Sequence, residues 1–138
     1  MFDIAALDVA TEANAGVPME VVNPKTNQVV VDADNKPVTI TLRGRNSDAL
    51  IEHETAVRNR RLDASRRGQI KMSAEEIDAE AVELLVVCTV DWSFTEMAGE
   101  PYVCTPANAR KLWSDPRFAT IRVQAERFIA DDANFLTA

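Results

Sequence analysis

Thr105-Pro106-Ala107-Asn108-Ala109-Arg110-Lys111-Leu112-Trp113-Ser114-Asp115-Pro116-Arg117-Phe118, running on through Phe128-Ile129 to Leu136, is the stretch that decides the fold class. Thr105 can cap a helix whose first residue is Pro106, a position where the missing N–H costs nothing because it has no partner inside the helix. The pattern predicts a short helix through Trp113. Ser114-Asp115-Pro116 repeats the signal and opens a second helix, in which Phe118, Ile121, Ala125, Phe128 and Ile129 recur at helical spacing on one face. Arg117, Arg122 and Arg127, with Glu126, take the other face. Trp113 stands where the first helix meets this apolar stripe and is expected at the centre of a core.

Upstream the periodicity changes. Val38-Thr39-Ile40-Thr41-Leu42 alternates strictly, the pattern of an antiparallel strand with one buried face. Met19 to Val22 and Gln28 to Val31 read as further strands, separated by the turn formers of Asn23-Pro24-Lys25-Thr26-Asn27 and Asp32-Ala33-Asp34-Asn35-Lys36-Pro37. Two or three such strands need a helix to cover them. Asn46-Ser47 ends the sheet and caps a helix from about Asp48 toward Arg66, with Gly68 as its stop and Leu50, Ile51, Val57 and Leu62 as its few apolar residues. Ser73-Ala74-Glu75-Glu76 is a capping box opening a third long helix, with Ile77, Ala81, Leu84, Leu85 and Cys88 on its apolar face. Trp92 to Val103 reads as an aromatic-bearing loop turning at Gly99-Glu100-Pro101 and more often a plug of the core than a binding site. The expected architecture is α+β: a small N-terminal antiparallel β-meander of two to three strands packed against a C-terminal bundle of about four helices. One domain spans 1–138, made of an N-terminal arm (1–18), the meander (19–45) and the helical part (46–138).

A chain of 138 residues with 46% hydrophobic and 27% charged content is large enough for one core without metals or disulfides. No apolar run reaches membrane-spanning length, and the first residues lack the basic and long apolar regions of a secretory signal. The expected compartment is the cytoplasm. Cys88 and Cys104 sit among apolar neighbours and read as free, buried thiols. The net charge of −7 argues against nucleic acid as partner, but it is unevenly spread: −4 over residues 1–42, +4 over 43–71 and −7 over 72–138.

Catalytic chemistry finds no footing. His53 is the one histidine, and its helical neighbours Glu52 and Glu54 point in other directions, so the three cannot converge on a metal. There is no phosphate-cradling Gly-rich loop and no nucleophile elbow, and no set of nucleophile, acid and base with defined roles. We expect neither cofactor nor metal, and no enzyme. Two features suit protein contacts. Phe2, Ile4 and Leu7 form an apolar cluster too short to fold alone, expected to dock on its own domain rather than on a neighbour. Arg58, Arg60, Arg61, Arg66 and Arg67 crowd the second half of their helix. They are either paired with the glutamate-rich helix that follows or a docking face for an acidic partner, helped by Arg43 and Arg45. Self-association through Trp92 to Tyr102 is a further option.

In order along the chain stand Phe2-Asp3-Ile4-Ala5-Ala6-Leu7-Asp8, Glu20-Val21-Val22-Asn23-Pro24-Lys25-Thr26 and Ile40-Thr41-Leu42-Arg43-Gly44-Arg45-Asn46-Ser47-Asp48. Asn59-Arg60-Arg61, Cys88-Thr89-Val90-Asp91-Trp92, the Thr105 to Trp113 segment and Phe128-Ile129-Ala130-Asp131-Asp132-Ala133-Asn134-Phe135-Leu136 follow. This succession, covering nearly the full length, resembles the tail assembly chaperones of long-tailed bacteriophages and prophages. The resemblance implies a non-enzymatic protein of the host cytoplasm that binds the long tape measure protein, keeps it soluble and helps tail tube protein gather around it. It implies absence from the finished particle and, in many members, a second longer form made by frameshifting. The alternatives are a structural virion protein, as a minor tail or connector component, or an unrelated regulatory domain whose basic groove would bind DNA in a salt-dependent way.

Overall fold

Three antiparallel strands organise the molecule, and the middle one is the alternating stretch: β4, Thr39–Leu42, lies between β1, Val17–Glu20, and β5, Thr89–Trp92. The computed structural model describes residues 1–68 and 72–136; the Lys71 end of the basic block lies outside them. Ile40 and Leu42 are fully buried while Thr39 and Thr41 are partly open, as alternation requires. Met19 faces Ile40 and Val17 faces Leu42 on one side of β4; Trp92 faces Ile40 on the other, with a register shift between Thr41 and Leu42. Pro18 cannot donate to a ladder and sits on the edge strand, where none is needed.

The α+β class with strands early and helices late is what the structure has. One detail differs. The sheet is not completed by a neighbouring strand of the N-terminal region. Past the Val21–Val38 hydrogen bond the chain leaves it to form a separate hairpin of β2, Val22–Asn23, and β3, Gln28–Val29, and an isolated bridge between Val31 and Pro37 closes the turn that follows. The third strand is β5, which sequence reading placed at the end of a helix and the start of a loop. The loop itself contains a second hairpin, β6 (Glu96–Met97) with β7 (Glu100–Pro101). Its turn is Ala98-Gly99, with φ of 51° and 82°, both left-handed as a tight two-residue hairpin requires.

The helices follow their local signals. The segment 1–18, expected as an arm, contains α1, Thr11–Ala15, and the first two residues of β1. α2 runs Asp48–Arg66, with Ser47 Oγ accepting from the Leu50 N–H. α3 runs Ala74–Cys88, with Ser73 Oγ accepting from the Glu76 N–H. α4 is Pro106–Ser114, where Thr105 Oγ1 accepts from the Asn108 N–H. Asp115 caps a 3-10 turn, Pro116–Phe118, that leads into α5, Ala119–Ala130. Each cap satisfies a backbone donor that the first helical turn leaves free.

α3 lies along α4 and carries Val82, Leu85 and Cys88 into the core, where they meet Leu112, Trp113, Ala125 and Ile129. Trp113 is buried as expected, and its indole Nε1–H donates to Thr89 Oγ1 at 3.0 Å. Phe118, Ile121 and Phe128 are only partly covered. Ile77, expected on the buried face of α3, is exposed, because α3 is covered along its second half only. Arg122, expected on the solvated face of α5, is mostly covered and joins three elements. It donates to Asp78 on α3 (2.8 Å), to Glu126 (3.1 Å) and to the Trp113 carbonyl (3.3 Å).

Two contacts tie the ends together. Gln124 on α5 lays its side-chain amide against β2, donating to the Val22 carbonyl at 2.7 Å and accepting from the Val22 N–H at 2.9 Å. The amide thus takes the place of a neighbouring strand. The 3-10 turn Asp132–Phe135 drives the Phe135 ring against Ala13 and Gly44, and the ring meets Phe128 edge-to-face at 5.5 Å. A Cβ at residue 44 would sit 2.9 Å from both Ala13 Cβ and Phe135 Cδ2, so glycine is required there by close approach.

Candidate functional site

The start of the arm, residues 2–7, has local structure without being covered. Asp3 Oδ1 accepts from the Ala5 N–H and caps a 3-10 turn, Ile4–Leu7; Asp8, between this turn and α1, accepts from the Ala10 and Thr11 N–H groups and the Thr11 hydroxyl. Phe2, Ile4 and Leu7 are nevertheless 72%, 71% and 56% exposed, and no residue of the turn is buried. The expected docking of this cluster on its own domain does not occur. The Asp3 cap shapes its turn locally, and of the residues on this side of the fold it is Ala13 and Phe135, packed at Gly44, that are buried.

The arginine cluster is divided. Arg61 pairs with Glu80 of α3, and Arg67 with Asp63 one turn earlier at 3.2 Å. Arg58, Arg60 and Arg66 are exposed and make no ion pair among the described residues. Wholesale pairing of a basic helix with an acidic one is therefore not what neutralises the two charge blocks. The acids of α3 turn elsewhere: Glu83 takes Arg110 of α4 and Asp78 takes Arg122 of α5. An open groove of about 720 Å³ lies between α2 and α3, lined by Val57, Ala64, Met72 and Ala79 together with charged residues that include Arg60 and Glu76.

Sequence reading missed the exposed apolar side chains of this region, Ile51 and Leu62 on α2 and Ile77 on α3. A signal was present. Ile51 sits about 100° around the helix from Leu50, so both cannot face the same core. Leu50 is the one buried residue of α2.

The other candidates behave as structural parts. Trp92 is stacked between Phe94 (4.9 Å) and Tyr102 (5.3 Å), and its indole N–H donates to the Tyr102 carbonyl. Tyr102 in turn donates its hydroxyl to the Asn108 carbonyl, so this aromatic set plugs the core beside α4. Burial pushes the Cys88 thiol up to about 12, and burial also raises Cys104, which disfavours a reactive thiolate at either. Among the described residues, no three His, Cys, Asp or Glu side chains cluster as metal ligands would, and no helix is long and apolar enough to cross a membrane.

Several carboxylates are held below their ordinary range. The Thr11 hydroxyl and the Ala10 and Thr11 N–H groups do this to Asp8, Arg117 to Asp115, and the two-pronged Arg45 with Asn46 to Asp132. A lowered folded-state pKa means that the folded chain binds fewer protons than the unfolded one. The stabilisation is then complete above the unfolded value, about 3.9 for Asp, and disappears as pH falls through the lowered values. Melting temperature should therefore hold steady from about pH 5 to 8 and fall below about pH 4. Asp132→Asn should lower the plateau and flatten part of the fall; a fall of unchanged depth in that variant would remove Asp132 from this account.

A comparison of the chain with protein-family models, with curated proteins and with solved structures finds no match.

Proposed function

We propose that this chain is a non-enzymatic tail assembly chaperone of a long-tailed phage, acting in the host cytoplasm. In this role it holds the tape measure protein soluble while tail tube protein gathers around it. The observation that carries the reading is the arm. Phe2, just before the turn Ile4–Leu7, and Ile4 and Leu7 on it present three large apolar side chains to solvent, the turn being capped by the Asp3 carboxylate, on a chain whose net charge of −7 keeps it soluble. A holdase needs that combination: apolar surface free to meet a client, and charge enough not to aggregate itself. The groove between α2 and α3 adds a second apolar surface suited to one face of a client helix, with Arg60 placed to meet an acidic residue at its edge. Each contact is weak, and a long client could be held by many copies at once.

The test is co-expression with the tape measure protein, the product expected from a very long, helix-rich reading frame nearby. A Phe2→Ser/Ile4→Ser/Leu7→Ser variant should fold normally, since the three positions are exposed, and should leave the tape measure protein in the pellet. Undiminished solubilisation by that variant would remove the arm from the mechanism. Mass spectrometry of purified particles beside the lysate decides the role itself. Stoichiometric presence in particles would make the protein a minor tail or connector component.

A further inference from the structure

We infer that α2 is a self-association element, pairing antiparallel with α2 of a second copy about a two-fold axis near residues 56 and 57. Two stripes run along this 19-residue helix. The inner one, Leu50, His53, Val57 and Ala64, is buried or partly covered against the rest of the chain. The outer one, Ile51, Thr55, Arg58 and Leu62, is exposed at every position. Its steps of four, three and four residues are those of a helix-pairing seam. Ile51 and Leu62 at its ends are 49% and 52% exposed, and no other described residue buries them.

Charge selects the occupant and its direction. Asp48, Glu52 and Glu54 occupy the first half of α2, and in the second Arg58, Arg60, Arg61 and Arg66 outnumber Asp63, which pairs with Arg67. Acid at the start and base at the end also suits the helix dipole, which accounts for the polarity but not for the exposed Ile51 and Leu62. An antiparallel copy sets each acidic half against a basic one. In that register Ile51 faces the partner's Leu62 and the reverse, while Glu54 lies near the partner's Arg58 and Asp48 near the partner's Arg66. Every contact is made twice, as a two-fold interface demands. A parallel copy would oppose Arg58 to Arg58 and Arg66 to Arg66 and be repelled. A single helix pair is a small interface, so the dimer should be weak, with a Kd of about 10 µM, and sensitive to salt. This dimer does not depend on the chaperone reading and leaves the arm free.

Sedimentation equilibrium of the purified chain tests it. The wild type should show a concentration-dependent dimer, and Leu62→Glu should be monomeric with unchanged circular dichroism. Glu54→Arg alone and Arg58→Glu alone should each weaken the dimer at least about tenfold, a loss of about 1.4 kcal/mol, and the two together should restore it. Direction is read by cross-linking in a Cys104→Ser background. A cysteine replacing Thr55 lies within about 10 Å of its copy, whereas cysteines replacing Arg66 stand about 28 Å apart along the axis. Efficient linking at 66 would overturn the antiparallel register. A wild type still monomeric at about 1 mM would overturn the dimer, as would a double charge swap no better than the single ones. If Leu62→Glu impaired only capture of the tape measure protein, the stripe would belong to the client and the inference would fall.

Discussion

Trp113→Ala should destabilise the fold by about 3–5 kcal/mol, a third or more of what a domain of this size has in hand. Trp113 is 1% exposed, surrounded by the apolar faces of α3 and α5, and stands at the end of α4 where three helices converge. Truncation removes the ring's transfer free energy and leaves a cavity that the neighbouring helices, held by their other core contacts, close only in part. It also ends the bond from Nε1–H to Thr89 Oγ1. That bond matters less. The Thr89 hydroxyl still donates to the Leu85 carbonyl at 2.6 Å, so no buried donor is stranded, and Trp113→Phe should cost far less than Trp113→Ala. Urea unfolding followed through the fluorescence of Trp92, the chain's other tryptophan, measures both. A loss below about 1 kcal/mol for the alanine variant, at unchanged slope, would show that the core does not close on this residue.

Phe135→Ala should be nearly as costly, again about 3–5 kcal/mol, although Phe135 lies in a short 3-10 turn at the far end of the fold. Its ring is 1% exposed and wedged against Ala13 and Gly44, so one side chain joins α1, the β4–α2 connection and the last turn. Phe2→Ala, an identical change at an exposed ring, should stay within about 0.5 kcal/mol. Gly44→Ala offers the sharper check. Its new Cβ would crowd Phe135 Cδ2 at 2.9 Å and should cost about 1–3 kcal/mol alone. With Phe135 cut to alanine the clash with the ring is gone while that with Ala13 Cβ stays, so the cost should shrink without vanishing. Additive losses in the double variant would mean that the two residues do not share one site.

The local signals in the chain were legible because their physics is local. Ser47, Ser73 and Thr105 each sit three residues before the N–H they accept, and the alternation of Ile40 and Leu42 with threonines follows from the pleat alone. Four helices and the central strand could be placed from such features; the short α1, which has no side-chain cap, could not. The partner of that strand could not. β5 reaches β4 across two helices, and its residues, Thr89 to Trp92, follow an apolar helical run with no turn former to announce the change. Nor could pattern tell which apolar groups find cover. Phe2, Ile4, Leu7, Ile51, Leu62 and Ile77 look as burial-prone as Leu50, yet they stay exposed, because cover is a matter of which surfaces close over which. The same holds for polar groups: Gln124 against Val22 and Arg122 between Asp78 and Trp113 bridge segments far apart in sequence. Hydrogen bonds within one helical turn or one strand are written in neighbouring residues, whereas the covering of faces is a competition among the whole chain's surfaces, and it is the faces left over that point to partners.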